Sequence, residues 1–145
     1  MILYHVTRKK FLPAIREQGL IPHVPGVVWD DGHPEVAKMT DGKPVVWLTA
    51  DATEWRHDAS ATGDTEARLL TVRLEPNSKR LVHYATWLHD HDPDFYLHMQ
   101  IRYKEICEGR YSETPQNIEA WHIYFGTIRA DRIIDGLVER VTEAA

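Results

Sequence analysis

The stretch that decides the fold opens with Ile2-Leu3-Tyr4-His5-Val6-Thr7 and ends at Gly19-Leu20-Ile21-Pro22. Residues 2–6 begin apolar and alternate, which predicts a strand. Residues 8–18 carry apolar side chains at helical spacing, which predicts one short helix with Pro13 in its first turn. Gly19 suits the position just after a helix. The stretch therefore predicts a strand–helix unit with a polar His–x–Thr pair at the mouth of a cleft.

The composition is that of a single soluble domain, and we assign residues 1–145 to it. Of its 145 residues, 43% are apolar and 27% are charged, without an apolar run long enough for a membrane span or a signal peptide at the start. Cys107 is the one cysteine, which excludes an intramolecular disulfide and makes a cytoplasmic protein the default expectation. It lies on the apolar face of a predicted helix, where we expect it to be buried.

The net charge disfavours one class of partner. At −5, the chain gains nothing electrostatically from a polyanion, so nucleic-acid binding is not favoured as a property of the whole surface. A local basic cleft is left open as the exception. A membrane partner is not expected.

The remaining elements are predicted from periodicity and breakers. Residues 22–44 and 50–66 are predicted as irregular segments. Strands are predicted at Val45–Thr49, Arg68–Leu74, Trp121–Phe125 and, last, Leu137-Val138. Helices are predicted at Leu81–His89 and over Phe95–Cys107. Because strands and helices do not alternate in βαβ order, the fold class is α+β.

Three segments, taken together, resemble the signature strands of the ADP-ribosyltransferase clan. They are Tyr4–Thr7 with Gly19-Leu20, Val45–Thr49, and Asn117–Tyr124 with Ile128 nine residues after Glu119. The similarity is to the diphtheria-toxin and poly(ADP-ribose) polymerase type, whose signature is His, Tyr, Glu. The first segment is also similar to RNA 2′-phosphotransferases and to DNA-modifying toxin ADP-ribosyltransferases. Residues 44–49 lack the arginines of the RNA enzymes.

The resemblance implies a fold and a site. The fold would be α+β, with split antiparallel sheets around a cleft and helices flanking it. His5 and Thr7 would hold the adenosine side of NAD, and the Val6 backbone would hold the nicotinamide amide. Trp47 occupies the family's tyrosine position and would stack on nicotinamide. Thr49 belongs to the same set of cofactor-binding residues.

The same resemblance assigns catalysis to Glu119 and His5. A carboxylate at Glu119 would orient the nicotinamide ribose and stabilise the positive charge that develops on it as nicotinamide leaves. Arg68 or Arg73 would reach the pyrophosphate. The implied activity is an NAD-dependent mono-ADP-ribosyltransferase, a glycosyltransferase that uses NAD as substrate and no metal. Its acceptor is unknown, and a bacterial or phage toxin or defence role rests on analogy alone.

Several alternatives stay open. His5 also fits a core histidine, Trp47 a core aromatic, and Glu119 an exposed charge at the start of a strand. Thr7 and Thr49 also fit ordinary cap or strand residues. The departures from the family pattern at Val6 and Trp47 favour a catalytically silent nucleotide- or protein-binding module. A protein-interacting factor with interfacial aromatic residues is the third possibility. His89-Asp90-His91-Asp92 is interpreted as a solvated loop rather than a metal site.

Overall fold

The structure is a computed structural model that describes residues 1–22, 39–57, 66–112, 115 and 117–138. In these ranges the strands are β1 (Ile2–Arg8), β2 (Val45–Thr49), β3 (Ala67–Arg73), β4 (Leu81–His83), β5 (Trp121–Phe125) and β6 (Ile133–Asp135). The α-helices are α1 (Leu12–Gln18), α2 (Tyr84–His91) and α3 (Pro93–Cys107). Short 3-10 helices lie at Lys9–Phe11, Ala52–His57, Ile118–Ala120 and Ala130–Arg132. The predicted α+β class is confirmed.

The predicted strand–helix–glycine unit is confirmed. Pro13 lies in the first turn of α1, and Leu12 and Ile15 are the residues that this helix buries. Gly19 ends the helix with φ of 79°, a left-handed value that glycine adopts readily, and its N–H donates to the Ile15 carbonyl at 2.8 Å. The chain then pairs with a distant segment through Leu20 and Ile128, which bond to each other in both directions at 2.8 and 3.0 Å.

The strands form one antiparallel sheet in the order β4-β5-β2-β1-β3-β6. Strand β1 pairs with β3 along its whole length, from Ile2↔Arg73 to Arg8↔Ala67. Strand β2 pairs with β5 along its whole length as well. In contrast, β1 and β2 share the single register pair Tyr4↔Thr49. The described strands therefore form one sheet with two well-paired halves, β4-β5-β2 and β1-β3-β6, that meet at a narrow junction.

The two faces of the sheet bury separate core clusters. Because neighbouring strand residues point to opposite faces, Val46 packs in the first cluster and Val45 in the second. Helix α1 covers the first face with Leu12 and Ile15. Helix α2 covers the second face with Tyr84, Ala85 and Leu88, while α3 packs there with partly buried side chains. None of the described helices has both the length and the apolar character to cross a membrane.

Several predicted boundaries are corrected. The predicted helix over Leu81–His89 begins as β4, because residues 81–83 pair with β5 before the chain turns into α2. The His89–Asp92 stretch is not a loop: it ends α2, and the Asp92 carboxylate caps α3 by accepting from the Phe95 N–H at 3.2 Å. Cys107 is exposed, not buried, because α3 packs on the second core cluster through Phe95, Tyr96 and Met99, whereas Cys107 is its last residue.

The predicted last strand at Leu137-Val138 is corrected: the last described strand is β6, which begins four residues earlier. Gly136, with positive φ, follows β6, and residues 137–138 are not in a strand. Most of the predicted 22–44 loop, residues 23–38, lies outside the described residues. Residues 58–65 of the predicted 50–66 segment also lie outside them, while Ala52–His57 forms a 3-10 helix.

Candidate functional site

The strands that carry the three signature segments are neighbours in the sheet. Strand β2 lies between β1 and β5, and the row Tyr4–Thr49–Trp121 runs across all three. The Ala120 carbonyl extends the β2–β5 contact by accepting from the Ala50 N–H at 2.8 Å. Segments that are more than 40 residues apart along the chain, Tyr4 to Thr49 and Thr49 to Trp121, are thus brought side by side.

His5 bridges β1 and β2 next to their single register pair. Its Nδ1 lies 2.7 Å from the Trp47 carbonyl oxygen. Because a carbonyl can only accept, Nδ1 carries the proton and the ring is held in a defined orientation. The edge of Trp55 lies against this ring, with centroids 5.5 Å apart, and the Trp55 indole donates to the Tyr4 carbonyl at 2.9 Å. His5 is half-buried and fixed on two sides.

The Trp47 ring lies among aromatic side chains of the second core cluster. It makes edge contacts with Tyr84 and Trp121, at centroid distances of 5.6 and 5.9 Å. Tyr4 pairs with Thr49, which lies on the same face of the sheet as Trp47. Because side chains alternate along β1, His5 points to the opposite face of the sheet. His5 is therefore bonded to the Trp47 backbone, and the ring of Trp47 remains half-buried on the other face. Stacking of this ring on nicotinamide stays a prediction.

The other predicted cofactor-binding residues differ in accessibility. Val6 is half-buried against the second core cluster, and Thr7 is half-buried opposite Arg68. Thr49 is fully buried, and its hydroxyl exchanges hydrogen bonds of 3.1 Å with the backbone of Asp51. The Thr49 side chain therefore fastens the turn after β2, and its role in cofactor binding stays a prediction.

Glu119 sits in the 3-10 helix just before β5, with 44% of its side chain exposed. Asn117 caps this helix, accepting from the Glu119 N–H at 3.1 Å. One carboxylate oxygen, Oε1, accepts from the Tyr96 hydroxyl at 2.6 Å and from the Gln100 amide at 3.3 Å. Gln100 also donates to the Tyr96 hydroxyl at 2.6 Å. Two residues one turn apart on α3 therefore hold the carboxylate at a solvent-accessible position.

A pair of histidines lies beside Glu119. His83 Nε2 donates to the Glu119 carbonyl at 2.7 Å and lies 3.9 Å from the carboxylate Oε2. The His83 and His122 rings are opposite each other in the β4–β5 register, with centroids 4.8 Å apart. His122 is 7% exposed, and its Nδ1 lies 3.3 Å from the Ala120 carbonyl. Glu119 thus lies beside a phenol, an amide and the His83 imidazole, and His122 packs behind His83.

Two pKa shifts follow from these contacts. The hydrogen bond to Glu119, then burial and the Glu119 charge, raise the pKa of Tyr96 above its ordinary 10.0. Burial, then the neighbouring His83, lower the pKa of His122 below its ordinary 6.5, against a smaller opposing effect of the Ala120 carbonyl. The neutral forms of both side chains are favoured near neutral pH.

Acid should destabilise the fold through His122. Its folded pKa is lowered, so its contribution to stability is complete above the unfolded pKa of about 6.5 and is lost as pH falls through the folded pKa. We expect His122→Gln to reduce the loss of unfolding free energy, measured in urea, between pH about 8 and about 5. His89→Gln, at an exposed position on α2, is the matched control. Equal pH dependence in wild type and His122→Gln would contradict this expectation.

The structure brings the predicted site residues together in two groups. His5 contacts the Trp47 backbone at the β1–β2 junction, whereas the side-chain contacts of Glu119 come from α3 and β4. Tyr96, Gln100 and His83 were not among the predicted site residues. Tyr96 and Gln100 do carry a signal, since polar side chains four apart share a helix face, but nothing in the sequence connects that face to Glu119.

Metal binding finds no support within the described ranges. Those residues contain no group of three or more His, Cys, Asp or Glu side chains arranged to hold a metal ion. His89 and His91 are both exposed, and His91 is engaged by the Trp87 carbonyl at 2.9 Å and by stacking on the Trp87 ring.

Comparison of the chain with protein-family models, curated proteins and solved structures gave no significant match.

Proposed function

We propose that the protein is an NAD-dependent mono-ADP-ribosyltransferase with an acceptor still to be identified. The observation that carries the proposal is the order β1-β2-β5, which makes neighbours of the three segments that resemble the signature strands of that clan. His5 at the β1–β2 junction and Glu119 at the start of β5 are the polar residues around which the proposed site is built.

The chemistry requires one developing charge to be stabilised. The bond between C1′ of the ribose and the nicotinamide nitrogen breaks, and its electron pair leaves with neutral nicotinamide. Positive charge builds up on the ribose until the acceptor attacks C1′ and gives up its proton. Glu119, a carboxylate already oriented by Tyr96 and Gln100, suits this task because a preorganised charge needs little rearrangement as the reaction proceeds.

The N-terminal residues would bind the rest of NAD. His5 is oriented by the Trp47 carbonyl and would donate to or accept from the adenosine ribose. Thr7 lies two residues further along the same strand, and Arg68, its register partner on β3, is suitable for the pyrophosphate. Val6 would contribute its backbone. This division puts cofactor binding on β1, on β3 and, through the proposed stacking of Trp47, on β2, and it puts the chemistry at the 3-10 helix before β5.

A catalytically silent binding module is the second candidate, and one observation favours it. The Trp47 ring, proposed to stack on nicotinamide, is engaged by the edges of Tyr84 and Trp121. A nucleotide could bind along β1 without nicotinamide being held for bond cleavage. This candidate predicts NAD binding without nicotinamide release.

The test is calorimetric titration with NAD together with chromatographic measurement of nicotinamide released over time. The enzyme proposal expects saturable binding and protein-dependent release, even with water as acceptor. Binding without release under any acceptor tried supports the silent module. Absence of NAD binding overturns both and supports a protein-interacting factor.

His5→Ala should weaken NAD binding by about tenfold, which corresponds to one hydrogen bond within a preorganised site. The Kd is measured by calorimetry, with thermal unfolding recorded to verify the fold. His98→Ala, which removes an exposed imidazole from α3, is the control and should leave the Kd unchanged. An unchanged Kd for His5→Ala would remove His5 from the proposed binding site.

A further inference from the structure

The Glu119 carboxylate is held from one side. Its Oε1 receives both donors from α3, the Tyr96 hydroxyl at 2.6 Å and the Gln100 amide at 3.3 Å. Within the described residues, the polar atom near Oε2 is His83 Nε2, at 3.9 Å, which is beyond hydrogen-bond distance. The two oxygens of one exposed carboxylate therefore have different environments.

We propose that Tyr96 and Gln100 are positioning residues for the transfer reaction: they hold Oε1 so that Oε2 is the oxygen that accepts the hydroxyl of the nicotinamide ribose. The inference rests on the proposed function and adds to it the helix that orients the carboxylate. Neither residue belongs to the segments that carry the family resemblance. Helix α3 thereby becomes part of the site.

The geometry of the three groups supports directional control. The Gln100 amide donates to the Tyr96 hydroxyl at 2.6 Å, so the phenol proton is directed to Glu119. Such a chain strengthens each of its bonds, and a short bond to an ionised oxygen is stronger than one between neutral groups. Glu119 itself has 44% of its side chain exposed, so packing alone leaves it rotational freedom. A misplacement of about 1 Å is enough to cost a large factor in rate.

A merely structural tie between α3 and the Ile118–Ala120 turn makes different predictions. In that case, loss of the Tyr96 hydroxyl would lower stability and leave turnover of the folded protein unchanged. A positioning role predicts loss of kcat with little effect on NAD binding, because Oε2 and the ribose can still meet in unproductive orientations.

The test compares Tyr96→Phe with wild type in nicotinamide release. We expect kcat to fall by about tenfold to a hundredfold, the effect of losing one hydrogen bond to a charged group, with the Kd for NAD within about twofold. Gln100→Met, which leaves the hydrogen bond between Tyr96 and Glu119 in place, should lower kcat by about threefold. Tyr111→Phe removes an exposed hydroxyl and is the matched control. Wild-type kcat in folded Tyr96→Phe overturns the inference, and if that variant does not fold, Gln100→Met decides in the same way.

A second readout does not depend on turnover. Because the hydrogen bond to Glu119 and the Glu119 charge raise the pKa of Tyr96, Glu119→Ala, which removes both, should lower it towards 10.0. Spectroscopic titration of tyrosinate, with Tyr96→Phe used to identify the signal, measures this change. An unchanged titration overturns the contact on which the inference rests. A wild-type protein that shows the titration shift but releases no nicotinamide overturns the proposed function, and the positioning role of Tyr96 with it, while the geometry stands.

Discussion

Gly19→Ala should lower the free energy of unfolding by about 3–5 kcal/mol, at the upper end for a single substitution. A Cβ at this position would lie 2.2 Å from the Ile128 carbonyl oxygen and 3.2 Å from the Arg129 Cα. Both are backbone atoms, and the Ile128 carbonyl already accepts from the Leu20 N–H. The pairing of residue 20 with residue 128 would have to separate to admit one methyl group. Urea unfolding followed by circular dichroism measures the loss.

The controls separate this clash from the cost of a left-handed backbone. Gly42 and Gly109 also have positive φ, 72° and 82°, but a Cβ at either would meet nothing within 4 Å. Gly42→Ala and Gly109→Ala should therefore each cost only about 1 kcal/mol, the conformational penalty alone. Similar losses of unfolding free energy in all three variants would show that the close approach of residue 19 to Ile128 contributes nothing to the effect of Gly19→Ala.

Glu119→Gln should reduce nicotinamide release by about a hundredfold to a thousandfold, the range found when one preorganised electrostatic group is removed from an active site. The substitution keeps the size and hydrogen-bonding capacity of the side chain, so Tyr96 can still donate to it. What is lost is the negative charge next to the ribosyl cation. The Kd for NAD should change by less than about threefold, because most of the binding contacts lie elsewhere.

Glu108→Gln is the matched control for this experiment. Glu108 follows α3 and is exposed, and its carboxylate takes part only in surface ion pairs with Lys104 and Arg110 among the described residues. Removing its charge should leave release unchanged, since such pairs contribute little. If wild type releases nicotinamide and Glu119→Gln is unimpaired, the catalytic residue lies elsewhere and the similarity at Asn117–Tyr124 has misassigned it.

The elements that sequence alone could predict are those whose signals are local. Strand β1, helix α1 and Gly19 follow from alternation, from the position of Pro13 and from the need for a positive φ. Strands β2 and β5 follow from short apolar and aromatic runs. In contrast, Leu81–His83 is read as helix because its strand character comes from pairing with β5, forty residues later in the chain.

The candidate site also contains residues with local sequence signals and residues whose role depends on distant packing. His5 and Glu119 could be selected because His5 lies within β1 and Glu119 lies just before β5, two strands that local signals predict. Tyr96 could not, because its significance depends on the packing of α3 against the start of β5. The contacts of Thr49 were hidden for a related reason: only the fold reveals that the turn at Asp51 uses its hydroxyl.

The strand order has a consequence for how the chain reaches its native state. Strand β1 emerges before the other five described strands during synthesis, yet its full-length partner β3 ends at Arg73. Strand β2, its neighbour on the other side, must itself pair with β5 at residues 121–125. Each of these closures links remote parts of the chain, a topology associated with slow folding. While the ribosome adds those later residues, β1 has unsatisfied edges on both sides and is exposed to pairing with other chains. The strand that carries His5 is therefore also the segment of the nascent protein whose correct pairing depends most on how soon its partner strands are synthesised.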